Sequence, residues 1–220
     1  MRTHPIFLRL DGRRCVVVGG DAEAERRAST CRDAGGHVTL IAPDARAAFA
    51  GPADAGPGRV DVVQRAYRSG DLAGAFLAYA SARDAGLIAE LRDEAERERV
   101  LLNVVDVPDN CTFFAPAVLR RGELCIAVGT GGASPGLAAR VRNQLAGLVG
   151  PEYAPYVTIL QAVRGHLAGR PDRAAVMAEL LDSGLLDLVR RGAHSEIDGL
   201  LGALVGGRCT LAGLGIEAAV

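Results

Sequence analysis

The stretch that decides the fold of this chain is Arg14-Cys-Val-Val-Val-Gly-Gly-Asp-Ala-Glu-Ala24. Its first half, Arg14–Val18, is a short β-branched run typical of a buried strand, and it ends at Gly19-Gly20. An alanine-rich, charged segment follows from about Ala22 to Ala34 and indicates a helix. A strand, a glycine turn and a helix in this order predict the first unit of a doubly wound α/β domain.

The alternation of strands and helices continues after this unit. Apolar residues at helical spacing predict a second helix at 84–99. Short apolar runs predict further strands at 37–41, 60–63, 75–79 and 100–105. Continuous apolar strands separated by helices are typical of a parallel sheet that is covered on both faces. We therefore expect a Rossmann-like doubly wound parallel sheet, with its ligand crevice at the carboxyl ends of the strands.

The second half of the chain has a different pattern. A loop that contains Pro108 and Pro116 leads into a strand at 124–128, a glycine cluster and a helix that ends near Leu148. From Pro151 onward the apolar residues recur at helical spacing. The sequence therefore predicts a small α+β segment followed by an all-helical carboxyl-terminal domain.

Composition excludes several classes of protein. The 25 basic and 26 acidic residues leave a formal net charge of -1, which argues against a nucleic-acid-binding protein. Every basic residue is Arg, so the chain can form neither a Schiff base with pyridoxal phosphate nor a P-loop. Five scattered cysteines without a C-x-x-C pair predict no disulfide framework and no metal site. No apolar leader or membrane-length stretch is present, so we expect a cytoplasmic protein that does not bind a membrane.

The first glycine turn is a candidate cofactor site. Backbone N–H groups at the start of the following helix can bind a pyrophosphate. The dinucleotide fingerprint G-x-G-x-x-G/A is only partly present, because Asp21 stands where its second glycine belongs. The alternative is a plain strand-to-helix turn with a negatively charged helix start. The candidate cofactor-binding residues here are Gly19, Gly20, Asp21, Ala22 and Glu23.

Three other positions carry candidate chemistry. Pro43 and Asp44 follow the second strand, where a carboxylate can bind the adenosine ribose or cap the next helix. Asp106 follows the strand at 100–105 and faces the expected crevice, where partial desolvation would suit a general base. The alternative for Asp106 is a loop residue that caps a turn before Pro108.

The second glycine cluster, Gly129–Gly136, is a candidate substrate site. Its hydroxyls and flanking guanidinium groups suit a substrate with several carboxylates, because each Arg can bind one carboxylate through two hydrogen bonds. The alternative is a tight turn with solvated arginines. The candidate substrate-binding residues are Thr130, Gly131, Gly132, Ser134, Arg120 and Arg140.

Five blocks in this order resemble one family. They are Pro5-Ile-Phe-Leu-Arg-Leu10, Val16-Val-Val-Gly-Gly20, Asn103-Val-Val-Asp106, Phe113-Phe-Ala-Pro-Ala117 and Thr130-Gly-Gly-Ala-Ser-Pro135. From about residue 5 to residue 148, and more loosely beyond, the chain resembles the precorrin-2 dehydrogenase/sirohydrochlorin ferrochelatase family, the amino-terminal half of siroheme synthase.

The resemblance implies an organisation and an activity. It implies an NAD-binding Rossmann-like domain at 1–112, a dimerisation segment at 113–149 and a helical domain at 150–220, assembled as a homodimer. It also implies oxidation of precorrin-2 to sirohydrochlorin with NAD, followed in many members by insertion of ferrous iron as a substrate. By the same resemblance, Asp106 is the catalytic aspartate and Thr130 lies in the pocket of the tetrapyrrole substrate.

The chain departs from the family pattern in two places, both on the cofactor side. Asp21 replaces a glycine of a G-G-G turn, and Ser81-Ala-Arg-Asp84 stands where the family has Ala-Thr-Asp-Asp. These departures leave open a protein of the same fold that has lost NAD use and acts only as a chelatase or tetrapyrrole carrier. A third alternative is a non-catalytic dimeric interaction module.

Overall fold

A computed structural model describes residues 3–45, 57–206 and 209–216. The chain divides into two compact units, residues 1–115 and residues 116–220. Two apolar clusters form the core of the first unit, and a third forms the core of the second.

The first unit contains a five-stranded parallel sheet with the strand order β3-β2-β1-β4-β5. Its strands are β1 (Arg14–Val18), β2 (His37–Ile41), β3 (Arg59–Val63), β4 (Leu77–Ala80) and β5 (Leu101–Val104). This sheet confirms the predicted doubly wound fold. The fourth strand begins two residues later than predicted, because Ala75 closes a turn by donating its N–H to the Leu72 carbonyl at 2.9 Å.

Helices cover both faces of this sheet, which explains why β4 and residues 15–18 of β1, at its centre, are buried at every position. In β1, Cys15 and Val17 pack towards α1 (Ala22–Asp33), whereas Val16 and Val18 pack towards α2 (Ala85–Glu98). Successive side chains of a strand point to opposite faces, so a strand covered on both sides needs apolar residues at every position.

The outer edge of β5 is covered by the chain itself. Thr112 donates its N–H to the Leu102 carbonyl at 2.8 Å, and its hydroxyl accepts the Leu102 N–H at 2.8 Å. One residue further along, Asn103 donates its side-chain N–H to the Phe113 carbonyl at 2.8 Å. These bonds satisfy an otherwise open strand edge and hold both ends of the loop that contains Asp106.

A buried carboxylate ties α2 to the segment before β4. Glu94, whose side chain is 2% exposed, accepts the Leu72 N–H at 2.7 Å, the Gly70 N–H at 2.9 Å and the Tyr67 hydroxyl. Burial alone would raise the pKa of Glu94, but the hydrogen bonds outweigh it and hold that pKa below its ordinary value.

In its described residues, the second unit combines a β-hairpin with five α-helices. The hairpin pairs β6 (Ala117–Arg121) with β7 (Leu124–Val128) in antiparallel register. The helices are α3 (Pro135–Leu148), α4 (Tyr153–His166), α5 (Arg173–Asp182), α6 (Leu185–Arg191) and α7 (His194–Val205). The sequence did not predict β6, since Leu119 is its one buried residue and its last two residues are arginines.

Glu94→Gln tests the buried carboxylate. We expect it to lower the free energy of unfolding at pH 7 by about 2 kcal/mol, because charge-assisted hydrogen bonds are weakened in a buried site. A lowered folded-state pKa stabilises the protein above the ordinary value of 4.5 and ceases to do so as the pH falls through the folded-state pKa. The deficit relative to wild type should therefore shrink below about pH 4.5.

Urea unfolding measured from pH 7 to pH 3 checks this expectation. Glu96→Gln, the same change at an exposed position of α2, is the matched control and should leave stability nearly unchanged. A Glu94→Gln deficit that is absent at pH 7, or that grows as the pH falls, would contradict the proposed anchoring.

Candidate functional site

The loops after four strands meet at one edge of the parallel sheet. Gly19, after β1, donates its N–H to the Ile41 carbonyl at the end of β2 at 3.0 Å. Ser81, after β4, donates its N–H to the Val18 carbonyl at 2.8 Å. Val105, after β5, donates its N–H to the Ala80 carbonyl at 2.9 Å. The predicted crevice edge therefore collects the loops that contain Asp21, Asp44, Ser81 and Asp106.

The first glycine turn is too tightly packed for a side chain at Gly19. Gly19 has φ +131, and a Cβ there would lie 2.8 Å from the Ser81 carbonyl oxygen and 3.3 Å from the Ala24 Cβ. A Cβ on Gly20 would require the Asp44 carboxylate to move aside. The structure thus brings Asp44 against the glycine turn. The following helix, which Asp44 would cap in its alternative role, lies outside the described residues.

Asp21 occupies the start of α1. It is the N-cap residue, and its Oδ1 accepts the Ala24 N–H at 2.9 Å. Its Oδ2 accepts the Ser81 hydroxyl at 2.7 Å. The Ala24 N–H, and after it the Ser81 hydroxyl, hold the pKa of the Asp21 carboxyl below its ordinary range. A carboxylate therefore already sits where a helix start would offer its N–H groups to a phosphate.

The surroundings of this turn still suit a dinucleotide. The N–H groups of Gly20 and Asp21 make no hydrogen bond within the described part of the chain. The Asp44 carboxylate beside Gly20 can accept ribose hydroxyls. Among the candidate residues, Ala22 is exposed at the first position of α1 and Pro43 is exposed beside Asp44, whereas the Glu23 carboxylate is bound by Arg26 and Arg27 at 2.6 and 2.8 Å. The free N–H groups and the Asp44 carboxylate are groups that could hold a dinucleotide at this turn.

Asp106 stands in a tight turn directly after β5. Val107 donates its N–H to the Val104 carbonyl at 3.2 Å, and Asp106 adopts a left-handed φ of +60. This conformation is uncommon for a residue other than glycine and costs on the order of 1 kcal/mol. The expected partial burial of Asp106 is wrong for the single chain, in which the residue is exposed because this turn projects beyond the end of the sheet.

The structure also answers the alternative role proposed for Asp106. The 3-10 turn Pro108–Asn110 has Val107 at its start, and no side chain caps it. Within residues 3–45, 57–206 and 209–216, the Asp106 carboxylate makes no hydrogen bond or ion pair. An acid held in a strained turn without a structural partner is a common feature of functional sites.

The second glycine cluster uses its hydroxyls to build its own turn. Thr130 accepts the Ala133 N–H at its carbonyl at 3.1 Å, across Gly131 and Gly132 with φ of +61 and +83. Its hydroxyl accepts the Ser134 N–H at 3.1 Å and donates to the Ser134 carbonyl at 3.0 Å. The Ser134 hydroxyl caps α3 by accepting the Leu137 N–H at 3.2 Å. The tight turn, which was the alternative to a substrate site, is therefore present. The hydroxyls of Thr130 and Ser134 already have hydrogen-bond partners within it.

The arginines near this turn differ in their surroundings. Arg120 on β6 and Arg140 on α3 are exposed, and neither side chain makes an ion pair with another described residue. Both therefore remain available to bind carboxylates from solution. Arg142 is half-buried on α3, and its Nε is buried without a hydrogen-bond partner in the described chain.

Two residues of the loop after β4 were not predicted from the sequence as site residues. Ser81 binds Asp21, and Arg83 lies two positions further along the same loop. Their signal was the departure of Ser81-Ala-Arg-Asp84 from the family pattern, at the end of a strand.

In the described ranges, no three His, Cys, Asp or Glu side chains are grouped to hold a metal ion. The helices in these ranges are also too short or too polar to cross a bilayer.

The parallel sheet and its packed glycine turn define a Rossmann-like α/β protein of the dinucleotide-binding class. The family model described as "Putative NAD(P)-binding" matches residues 6–117, and the model described as "Sirohaem biosynthesis protein central" matches residues 121–148. The chain belongs to this NAD(P)-binding family of sirohaem biosynthesis, which confirms the resemblance to the amino-terminal half of siroheme synthase.

Similar proteins agree with this assignment. Siroheme synthase of Pseudomonas putida strain F1 is 34% identical over 92% of this chain and 44% of its own length. Siroheme synthase of Methylococcus capsulatus is 38% identical over 64% of this chain and 29% of its own length. The chain thus spans less than half the length of these relatives. The solved structure of SirC, precorrin-2 dehydrogenase, has a TM-score of 0.67 at 23% identity, covers 90% of this chain and all of its own, and confirms the fold.

Asp21→Gly tests the charge at the first turn. We expect NAD to bind about threefold to tenfold more tightly, since removal of a carboxylate beside a diphosphate is worth on the order of 1 kcal/mol. Asp21→Asn should tighten binding similarly, because it removes the charge but keeps an oxygen that can cap α1. Calorimetric titration with NAD measures both.

Asp33→Asn controls for net charge, because it removes an acid from the opposite end of α1. Its NAD affinity should equal that of wild type. If Asp21→Gly binds NAD no more tightly than wild type, the Asp21 carboxylate does not oppose the diphosphate.

Proposed function

We propose that this chain oxidises precorrin-2 to sirohydrochlorin with NAD. The observation that carries the proposal is the uncommitted Asp106 carboxylate at the same sheet edge as the glycine turn. The family assignment and the curated siroheme synthases support it, and the name of the SirC structure gives the same activity for that protein.

The proposed reaction divides between the cofactor and the chain. Bound NAD would supply the hydride acceptor. Asp106 accepts the proton that leaves the macrocycle at the same step, for which a carboxylate at a strand end is a suitable base. The turn from Val104 to Val107 positions this carboxylate beyond the end of β5. The hydrogen bonds of Asn103 and Thr112 hold that turn in place.

The other candidate residues bind and orient. The N–H groups of Gly20 and Asp21 and the carboxylate of Asp44 hold the dinucleotide at the end of β1. Arg120 and Arg140, which lack acidic partners among the described residues, bind carboxylates of the tetrapyrrole. Thr130 and Ser134 shape the loop before α3, and its glycines allow close approach of the substrate.

A second candidate function is favoured by one observation, the carboxylate at the start of α1. It is a protein that no longer uses NAD and inserts ferrous iron into sirohydrochlorin, with Asp106 accepting the pyrrole N–H protons. Ferrous iron is a substrate in this reaction. NAD-dependent appearance of the sirohydrochlorin spectrum from precorrin-2 supports the dehydrogenase, whereas iron insertion without that oxidation supports the second function.

Asp106→Asn tests the proposed base. Asn tolerates the left-handed backbone and has the same shape, so the fold should be retained while the proton acceptor is lost. We expect the oxidation rate to fall by 100-fold or more. NAD affinity should stay within twofold of wild type, because Asp106 lies about 10 Å from the end of β1, two strand spacings away. Full activity in this variant would show that another group is the base.

We also propose a homodimer formed through the segment 113–149. Within its hairpin, Leu119 is the one buried residue, and isolated two-stranded sheets are marginally stable. On α3 of the same segment, Leu137 and Leu148 are 53% and 75% exposed. A second copy of the segment would cover both.

We further propose a cytoplasmic location, consistent with cysteines that are free in the structure.

Leu148→Glu tests the dimer. Sedimentation should give twice the chain mass of 22.8 kDa for wild type and a shift towards the monomer for the variant, because a charge buried in an interface is costly. Leu181→Glu makes the same change at a side chain 56% exposed on α5, outside the segment, and should remain dimeric. A monomeric wild type, or a Leu148→Glu variant as dimeric as wild type, contradicts this interface.

A further inference from the structure

Among the described residues, α1 and α2 begin at the edge of the sheet where the strands end, and an aspartate caps the N-terminus of each. Asp21 caps α1 through the Ala24 N–H at 2.9 Å, and Asp84 caps α2 through the Leu87 N–H at 2.8 Å. A free helix start attracts anions, but a capping carboxylate uses its N–H groups and opposes its positive end. Neither helix can therefore offer a diphosphate the attraction typical of this fold.

The Ser81 hydroxyl beside the turn also has a hydrogen-bond partner already. Ser81 donates its only O–H to Asp21 Oδ2 at 2.7 Å, so it cannot donate to a phosphate without releasing the carboxylate. On the other side of Gly20 stands the Asp44 carboxylate. Two carboxylates thus flank the backbone where the diphosphate belongs, and a cation is needed to balance the combined charge.

Arg83 is the cation that this loop supplies. It follows Ser81 by two residues and precedes the α2 cap, Asp84. Its side chain is exposed and makes no hydrogen bond or ion pair with any residue that the structure describes. Arg26 and Arg27 on α1, by contrast, are engaged by Glu23 at 2.6 and 2.8 Å. The positive charge of Arg83 also contributes to the lowered pKa of Asp21, after the bonds from Ala24 and Ser81.

We propose that Arg83 is the residue that binds the diphosphate of the dinucleotide, in place of the helix start. Its planar guanidinium can donate two parallel hydrogen bonds to phosphate oxygens, and the free N–H groups of Gly20 and Asp21 add donors beside it. Without nucleotide, Arg83 compensates the charge of Asp21. With nucleotide, it turns to the diphosphate while Ser81 keeps Asp21 on the helix. This inference rests on the proposed use of NAD.

The test compares three ligands that differ in phosphate. NAD, ADP and adenosine are titrated calorimetrically into wild type, Arg83→Gln and Arg83→Lys. Arg83→Gln should weaken NAD and ADP by tenfold or more and leave adenosine within twofold, because adenosine has no phosphate. Arg83→Lys should recover part of the loss, since it keeps the charge but not the two-donor geometry. Arg68→Gln, an exposed arginine in the loop before β4, is the matched control and should bind as wild type.

The outcomes separate this inference from the proposed function. If Arg83→Gln binds ADP as tightly as wild type, or weakens adenosine equally, Arg83 does not bind the diphosphate. If that variant also keeps the wild-type KM for NAD while oxidising precorrin-2, the inference fails alone. If wild type binds ADP through Arg83 but does not oxidise precorrin-2, the proposed function fails alone. If wild type binds neither NAD nor ADP, both are overturned.

Discussion

The absence of a side chain at Gly19 and Gly20 is the constraint on which the rest of the first unit depends. It lets the end of β1 approach the Ser81 carbonyl, a backbone group that leaves no room for a Cβ on Gly19, while the Asp44 carboxylate lies against Gly20. Three loops are thereby packed around two residues of backbone. Because the packing at Gly19 involves the chain's own backbone and a positive φ, this glycine is required by the fold before any nucleotide is considered.

Within that packed turn, electrostatics distinguish this chain from a simple dinucleotide fold. Asp21 is bound by the first turn of α1 and by Ser81, so the two departures from the family pattern form a single hydrogen-bonded pair in space. The carboxylate introduced at Asp21 therefore gains a hydrogen-bond donor from the serine introduced at position 81. The positive charge of Arg83, in the same loop, also stabilises the ionised form of Asp21. A carboxylate that takes part in such a network stabilises the loop even where it disfavours an anionic ligand.

Asp106 shows the opposite arrangement, because its carboxylate forms no hydrogen bond or ion pair with the described part of the chain. Its turn is anchored from both sides by the covered edge of β5, yet its own oxygens have no partner among the described residues, and its backbone is held in a left-handed conformation. Its exposure means that the substrate, or a second copy of the chain, must supply the dry surroundings that a general base needs.

The sequence by itself determined the elements of the first unit and the strand ends that carry its candidate residues. This was possible because a strand buried on both faces and a helix with one apolar stripe leave different periods in the sequence. It missed β6, which has one buried residue and ends in two arginines and so leaves no such period. It also began β4 too early, in a turn closed by the Leu72 carbonyl. Only the tertiary structure decided that Asp21 would bond to Ser81, sixty positions away, and that the Thr130 hydroxyl would close its own turn. It also decided that Asp106 would have no partner among the residues that the structure describes. These outcomes depend on which strands lie side by side, and local periodicity carries no record of strand order.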